Sequence, residues 1–268
     1  MTPQLLPFFS SQDPFENLSR EELIFETFDP AQALLLLYIN TASVVIGKNQ
    51  NPWREARLGI LEQDGIPMVR RITGGGTVWH DEGNLNFSLL CSPQAYSKTE
   101  VQELLGRVMN HLGVPWTCNS HGDFFARERK FSGHAYAVKK DRILHHGTLL
   151  VQADLLRLKK YLGGLQGISG PGVPSRPSPV INLSEVVPGL TVGRVIQGFG
   201  ECFDPIPELF IDSKALDQRR QERSSREWTL GMTPDFTWEG PLGPERVVSG
   251  RGGDGEWFNP PISHLAEQ

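Results

Sequence analysis

The sequence predicts an α+β fold in which mixed β-sheets are flanked by helices. Apolar runs of strand length recur between residues 33 and 152, and segments with a 3.6-residue apolar period are interspersed among them. This mixture fits an α+β fold better than a regular βαβ series. With 268 residues, 38% of them hydrophobic, the chain can bury one large core, or one core with a small appendage.

The first predicted element is a helix that begins after Asp13. Asp13 can cap the helix, Pro14 suits its first position, and Glu16 completes a capping-box pattern. We expect this helix to end near residue 28. The next predicted elements are two strands, 33–39 and 43–47, and a short helix, 54–63, that Gly65 ends.

A second capping box, formed by Ser97 and Glu100, begins the clearest helix of the sequence, and Gly113 ends it. Its apolar face consists of Val101, Leu104, Leu105, Val108 and Leu112. The remaining predicted elements are a strand at 116–119, strands within 123–152 with turns near Glu128 and Lys140, helices at 154–162, 192–203 and 213–226, and two strands beyond Trp238.

Composition excludes several classes of function. The net charge is −5 and the pI is about 5.8, which argues against a nucleic-acid partner held by a basic surface. No apolar run is long enough to cross a bilayer, and the N-terminus lacks the pattern of a secretory signal. The three cysteines, Cys91, Cys118 and Cys202, are far apart in the sequence and show no paired spacing, so we expect reduced thiols and a cytoplasmic location. We also expect no membrane partner.

Residues 70–88, RRITGGGTVWHDEGNLNFS, form the most informative stretch. Glycines allow main-chain N–H groups to approach an anion, and the preceding arginines offer planar donors for carboxylate or phosphate. The stretch predicts a strand, an anion-binding turn and a second strand, followed by a hairpin through Gly83 and Asn84. It lacks the spacing of a dinucleotide fingerprint or a P-loop, so a merely flexible hairpin is the alternative.

Three other features carry candidate chemistry. Lys130 precedes the small residues Ser132 and Gly133, which would allow a ligand to approach, although a lone strand lysine is usually solvated. His145 and His146 point to opposite faces of a strand, so we expect one to be packed and the other to line a pocket, without a shared metal. The loop 163–179 is either surface decoration or a flap over a nucleotide, with Arg176 as its only cation.

Several of these motifs occur together in one known family. The chain resembles lipoate–protein ligase A and its relatives over roughly residues 13–236. The motifs that carry the resemblance are VVIGKNQNPW at 44–53, RRITGGGTVWHDEGN at 70–84, RKFSG at 129–133, HHGTLL at 145–150, NL at 182–183, and EWTLG at 227–231 with Pro234.

The resemblance implies an α+β catalytic domain of the biotin/lipoate ligase type and a two-step reaction. Lipoate and ATP with Mg²⁺ give lipoyl-AMP and pyrophosphate, and a lysine of an acceptor lipoyl domain then takes the lipoyl group. The acceptor would be a glycine cleavage H-type protein or a 2-oxoacid dehydrogenase of the E2 type. No metal ligand of protein origin is assigned.

The resemblance also implies roles for individual residues. Lys130 matches the lysine that contacts both lipoate and nucleotide, so it would stabilise the pentavalent phosphorus electrostatically. The implied nucleotide contacts are Arg71, Gly76, Thr77, Val78, Trp79, Lys130 and Arg176. The implied lipoate contacts are Lys130, Arg70, Gly75, His80 and Val45. From its position in the sequence, Asp123 is a candidate for orienting the ribose or the incoming amine, and His146 is a further candidate.

Two departures from the family keep alternatives open. Residues 237–268 are much shorter than the usual C-terminal domain, so we expect a catalytic domain at 1–236 followed by a remnant or substitute for that domain. Adenylation would then depend on a separate accessory protein, as in some relatives. The flap also carries Pro177 and Pro179 where relatives often have other residues, including a second arginine.

Two other functions compete with a ligase. One is a lipoyl or octanoyl transferase without its own activation step, whose octanoyl version would need a nucleophilic cysteine. The other is a non-catalytic module that binds lipoyl domains or a related acyl ligand. The retention of Lys130 and the arginine–glycine stretch favours the ligase over the non-catalytic module, and the HDEGN ending favours lipoate over biotin.

Overall fold

The structure is a computed structural model that describes residues 2–260. In chain order, its strands are β1 Gln4–Leu5, β2 Leu34–Ile39, β3 Ser43–Ile46, β4 Met68–Arg70, β5 Val78–His80, β6 Asn84–Cys91, β7 Thr117–Cys118, β8 Phe124–Ala126, β9 Arg129–Ser132, β10 His134–Lys139, β11 Arg142–Leu150, β12 Ile168–Ser169, β13 Phe236–Gly240 and β14 Gly243–Val247. The α-helices are α1 Pro14–Thr27, α2 Pro52–Glu55, α3 Leu58–Gln63, α4 Lys98–His111, α5 Leu155–Tyr161, α6 Leu183–Val186, α7 Val192–Cys202 and α8 Ser213–Arg223, and a π-helical turn spans Glu227–Gly231.

These residues divide into two compact units, each assembled from three segments of the chain. The first contains the residues up to Thr41, His80–Ala153 and Pro177–Asp217. The second contains Ala42–Trp79, Asp154–Arg176 and the described residues from Gln218 onward. The expected division at residue 236 stays a prediction. Within residues 2–260, none of the helices combines the length and apolar character that crossing a bilayer requires.

The first unit is built on a five-stranded sheet with the order β1-β2-β6-β11-β10. β1 is parallel to β2, and the other neighbours are antiparallel. All eight residues of β6 are buried. The main core joins apolar side chains of β2, β6 and β11 with those of α4 and α7, and a small sheet, β7-β8-β9, completes the unit.

The helix starts in this unit follow from their caps. The Asp13 carboxylate accepts the N–H of Phe15 at 2.8 Å, and the Ser97 hydroxyl accepts the N–H of Glu100 at 3.0 Å. Each bond satisfies an N–H group that has no partner within its helix. The helices predicted to begin after Asp13 and Ser97 are therefore confirmed, as is the buried apolar face of α4.

The second unit contains two three-stranded sheets, β4-β3-β5 and β12-β13-β14. Each sheet covers its own small core, one around Trp79 and Tyr161 and the other around Trp53 and Trp238. β12 lies inside the predicted irregular loop 163–179 and pairs with β13, where Ile168 faces Trp238. The two strands predicted beyond Trp238 correspond to β13 and β14, but β13 begins earlier than predicted, at Phe236.

Two local predictions were wrong. The helix predicted at 54–63 is broken, because Ala56 is extended, with φ −144° and ψ 156°, and forms a bridge with Leu162. The turn at Gly83 does not close a hairpin, because β5 and β6 belong to different sheets. Gly83 instead allows two segments of the chain to approach each other closely, because a Cβ on Gly83 would lie 2.1 Å from the carbonyl oxygen of Gln152.

Candidate functional site

The loop 71–77 connects β4 to β5 in the second unit and contains the three glycines. Gly75 has a φ of 85°, a conformation that favours glycine. Gly47, at the end of β3, packs against this loop, since a Cβ on Gly47 would lie 2.4 Å from the carbonyl oxygen of Gly75. Gly47, within the VIGK motif at 45–48, therefore leaves the space that the glycine loop occupies. The sequence analysis did not predict this role.

Arg71 determines the shape of the loop. It is 6% exposed, and its guanidinium donates to the carbonyl oxygens of Gly74 at 2.6 Å and Gly76 at 2.7 Å. The N–H of a trans peptide points away from its C=O, so these two bonds turn the following amides away from the guanidinium. The predicted contact between Arg71 and a nucleotide stays a prediction; the structure shows that Arg71 orients the amides of Gly75 and Thr77.

Ser175, from the predicted flap, lies against the same amides. The N–H of Thr77 donates to Ser175 Oγ at 2.9 Å, and a Cβ on Gly76 would lie 3.2 Å from that oxygen. The buried carboxylate of Glu55 accepts both the hydroxyl and the N–H of Ser175. A loop amide thus binds an oxygen acceptor here, as the predicted anion-binding turn requires. Arg176 is exposed and follows Ser175 directly.

Arg70 has a different environment from Arg71. Its side chain is 1% exposed, and burial lowers its pKa to about 10. All five N–H groups of its guanidinium are engaged. The acceptors are the carbonyl oxygens of Gly47, Lys48, Gln50 and Thr229 and the hydroxyl of Thr233. This geometry leaves Arg70 no N–H for the predicted lipoate contact, so we assign it a structural role.

Lys130 lies on β9 in the first unit, and its ammonium forms an ion pair with Asp123. Nζ is 2.9 Å from Asp123 Oδ1, and the two side chains are 25% and 21% exposed. A Cβ on Gly133 would lie 3.0 Å from Lys130 Nζ, so only glycine leaves the ammonium in this position. Lys130, Gly133 and Asp123, which are close in the sequence, are therefore also in contact in the structure. Asp123, considered as a contact for ribose or amine, positions Lys130.

The two histidines of β11 face opposite sides of the sheet. His146 Nδ1 is 3.1 Å from the carboxylate of Glu21, which also accepts the hydroxyls of Tyr38 and Ser88. Burial works against a charged Glu21, but His146 and these donors outweigh burial and lower its pKa. His145 bonds to His134 and Tyr96 on the other side. Both histidines are buried, and the expectation that one of them lines a pocket stays a prediction.

The remaining candidates are mostly enclosed. His80 is 4% exposed, and its Nδ1 accepts the side-chain amide of Asn40 at 3.0 Å. Val45 is 1% exposed on β3, and Trp79 stacks on Tyr161 with a centroid distance of 5.1 Å. Val78 is half-buried at the start of β5. The predicted ligand contacts of these residues stay predictions. Among residues 2–260, no group of three His, Cys, Asp or Glu side chains could hold a metal ion.

The packing of Gly47 gives a direct test of the loop. In Gly47→Ala, the overlap with the Gly75 carbonyl forces the loop to shift, so we expect a loss of about 1–3 kcal/mol in the free energy of unfolding, measured with urea. Gly200→Ala, in α7 with no heavy atom within 4 Å, is the matched control and should be neutral or stabilising. Equal unfolding midpoints for the two variants would contradict this packing.

Comparison with known proteins gives a consistent result. The family described as "Lipoyl protein ligase A/B catalytic domain" matches residues 13–204. The chain is similar to P. falciparum LipL1 solved with lipoate, with a TM-score of 0.72 and 26% identity, covering 93% of this chain and 82% of that one. It is also similar to lipoate-protein ligase A bound with ATP, with a TM-score of 0.69 and 27% identity, covering 87% and 100%.

A third structure is described as a bipartite lipoate protein ligase and its E2 lipoyl domain from Thermoplasma acidophilum. It has a TM-score of 0.68 and 26% identity, and the match covers 87% of this chain and 97% of that one. These matches confirm the predicted α+β fold, with mixed sheets and flanking helices, as that of lipoate ligase catalytic domains.

Proposed function

The chain belongs to the lipoyl protein ligase A/B catalytic domain family, and from this premise we propose that it is an ATP-dependent, AMP-forming lipoate–protein ligase. In the first step, a carboxylate oxygen of lipoate attacks the α-phosphorus of ATP and pyrophosphate leaves. In the second step, the amine of an acceptor lysine attacks the carbonyl carbon of lipoyl-AMP, and AMP leaves with the electron pair of the C–O bond.

The observation that carries this proposal is the ammonium of Lys130 in its ion pair with Asp123. The carboxylate and the α-phosphate repel each other unless a cation lies between them, and negative charge shifts toward the phosphoryl and pyrophosphate oxygens at the pentavalent phosphorus. Asp123 pairs with Lys130 Nζ and Gly133 leaves room for it, so the ammonium is already placed when this charge develops. Lys130 is the group that we assign to the first step.

The glycine loop supplies the second part of the proposal. We assign the nucleotide to the main chain of Gly76, Thr77 and Val78, where Arg71 orients the amide of Thr77, and to the exposed Arg176. The N–H of Thr77 donates a hydrogen bond to Ser175 Oγ in the structure. A nucleotide oxygen that accepts from this N–H therefore replaces Ser175 Oγ as its acceptor. Mg²⁺ would enter as part of the MgATP substrate, since its preferred ligands include phosphate oxygens.

The acceptor in this proposal is a lipoyl domain of the E2 or H-protein type. The similarity to the bipartite Thermoplasma ligase supports it, because that structure is described together with an E2 lipoyl domain. It also supports the version in which a separate accessory protein is needed for adenylation. The three free cysteines are consistent with the cytoplasmic location that we assign.

The transferase alternative would use a cysteine thiolate. Burial raises the pKa of Cys91 to about 11 and also raises the pKa values of Cys118 and Cys202. Reactive cysteines have the opposite shift. These environments favour the ligase over a cysteine-dependent transferase.

The test is to incubate the chain with lipoate, MgATP and an apo lipoyl domain. We expect lipoate-dependent ATP–pyrophosphate exchange, lipoyl-AMP, and an acceptor whose mass increases by one lipoyl group. Exchange only after addition of an accessory protein would support the bipartite version. Acceptor modification from preformed lipoyl-AMP without any exchange would identify a transferase, and a complete absence of adenylate and modified acceptor would overturn the proposal.

A further inference from the structure

A continuous chain of hydrogen bonds runs through the first unit from Ser132 to Tyr96. Ser132 Oγ is 3.1 Å from His134 Nε2, His134 Nδ1 is 2.8 Å from His145 Nε2, and His145 Nδ1 is 2.9 Å from the Tyr96 hydroxyl. Every group in this chain can both donate and accept a hydrogen bond. We call these four residues the histidine path.

The sequence sets the geometry of the path. His134 begins β10 opposite Gly147 of β11, and His145 lies two residues before that glycine. A Cβ on Gly147 would lie 2.7 Å from the ring of Phe87, so the glycine leaves room for this ring. Phe87 packs against the imidazole of His134 with a centroid distance of 5.4 Å, and Phe124 stacks on the same imidazole at 5.6 Å.

One end of the path is adjacent in sequence to Gly133, the residue next to the Lys130 ammonium. Ser132 and His134 flank Gly133, the residue whose missing Cβ accommodates Lys130 Nζ at 3.0 Å. Lys130 is also close enough to His134 to oppose its protonation. The inner end of the path is therefore within one residue of the contact between Gly133 and the ammonium assigned to the chemistry.

The other end of the path leads away from Lys130. Tyr96 is half-buried and, together with Ser97 and Glu100, lines a cavity of about 10 Å³. A cavity of this volume holds about one water molecule. The carboxylate of Glu100 gives this end a polar group that can accept a proton from such a water.

The protonation states suit transfer along the path. Burial is the largest cause that lowers the pKa of His134, followed by His145, Lys130 and His146. Burial and then His146 and Lys98 lower the pKa of His145 to about 4. Around Tyr96, burial, Tyr136 and Cys91 raise the phenol pKa. Both imidazoles are thus neutral near pH 7, so each has one donor and one acceptor nitrogen and does not retain a proton.

We propose that the histidine path conducts the proton that the acceptor lysine loses when its amine attacks the acyl-adenylate. This inference rests on the proposed ligase function and deepens its second step. The amine forms the N–C bond, the C–O bond to AMP breaks, and the amine proton passes through water to Ser132 Oγ, because Ser132 is 1% exposed and does not meet the amine directly. No group is oxidised or reduced.

The proton balance along the path is complete. Ser132 gives its hydroxyl hydrogen to His134 Nε2, His134 gives its Nδ1 hydrogen to His145 Nε2, and His145 gives its Nδ1 hydrogen to the Tyr96 hydroxyl. Tyr96 releases its own hydrogen to water in the cavity beside Glu100. Because the imidazolium forms are disfavoured, the transfers are concerted. The four residues act as positioning and relay groups, while Lys130 keeps the electrostatic role.

The test separates the two steps of the reaction. His134→Gln and His145→Gln keep a hydrogen-bonding side chain but cannot pass a proton between two ring nitrogens, and Tyr96→Phe removes only the terminal hydroxyl. The measurements are lipoate-dependent pyrophosphate exchange and, in single turnover, transfer from preformed lipoyl-AMP to an apo lipoyl domain. His111→Gln, at an exposed histidine paired with Glu201, is the matched control.

We expect each path variant to slow transfer about 10- to 100-fold more than it slows exchange, whereas His111→Gln changes neither. The defect should persist between about pH 7 and 9, because the ammonium proton that solvent removes as the pH approaches the lysine pKa of about 10.4 is not the proton that the amine loses on attack. A purely structural role would lower both steps together at every pH.

Other outcomes overturn the inference. Wild-type transfer rates in the glutamine and phenylalanine variants would show that no proton follows this path, as would a defect of equal size in exchange and transfer. Tyr96→Phe keeps its ring, so it remains informative if a histidine variant does not fold. If the wild-type chain itself forms no adenylate and modifies no acceptor, the proposed function fails, and this result differs from a defect confined to variants.

Discussion

Replacing Lys130 by alanine is expected to lower lipoate-dependent pyrophosphate exchange by about 10²- to 10³-fold, the usual effect of removing one preorganised electrostatic group. The ammonium lies 2.9 Å from Asp123 and is partly exposed, so its loss removes charge from the reaction without opening a cavity in the core. Alanine leaves the repulsion between the lipoate carboxylate and the α-phosphate without a cation. The exchange rate at saturating substrates is the decisive measurement.

The control for this prediction is Lys139→Ala. Lys139 also lies on a strand and also forms an ion pair, with Glu26 at 2.9 Å, but its side chain is 54% exposed. Exposed pairs contribute about 0–1 kcal/mol, so exchange and stability should both stay near wild type. If Lys130→Ala exchanged as fast as Lys139→Ala, Lys130 would have no role in adenylation. If Lys130→Ala failed to fold, its role would be structural.

Replacing Arg70 by methionine is expected to lower the free energy of unfolding by about 3–5 kcal/mol. The substitution keeps an unbranched side chain but removes all five N–H donors. The carbonyl oxygens of Gly47, Lys48, Gln50 and Thr229 would then lose a buried hydrogen-bond partner. Each unsatisfied buried group costs about 1–3 kcal/mol, and relaxation of the chain limits the sum. Urea unfolding with two spectroscopic probes measures the change.

Arg226→Met serves as the comparison for Arg70. Arg226 lies in the same unit and pairs with Glu62 at 3.3 Å, but its side chain is 62% exposed. This pair should contribute less than about 1 kcal/mol. A stability of Arg70→Met equal to that of Arg226→Met would show that water replaces the lost donors and that Arg70 is not a structural clamp.

Much of the fold could be predicted because local signals and burial agree. Asp13 and Ser97 cap their helices through bonds within three residues, so a short stretch of sequence contains the whole cause. The apolar runs of β2 and β6 are central strands, and their burial matches their composition. The broken helix at Ala56 had no such local signal, because its partner Leu162 is distant in sequence.

The candidate site was predicted less completely, for the same reason. Arg70 and Arg71 look equivalent in the sequence, and alternation along a strand separates them by face but does not reveal their partners. Thr229, which accepts from Arg70, and Ser175, which accepts from the loop amide of Thr77, are both distant along the chain. Lys130 was easier to identify because Asp123 and Gly133 lie within a few residues of it.

The pairing of β12 with β13 joins the C-terminal residues to the loop 163–179. Ile168 and Ser169 lie in the same loop as Ser175, and β13 and β14 are the other strands of their sheet. The carbonyl of Phe258 also accepts the indole N–H of Trp53, two residues before Glu55. Shortening the chain at residue 235 would therefore remove two of the three strands of this sheet and the acceptor of the Trp53 indole N–H, so residues 236–258 are an integral part of the fold of the second unit.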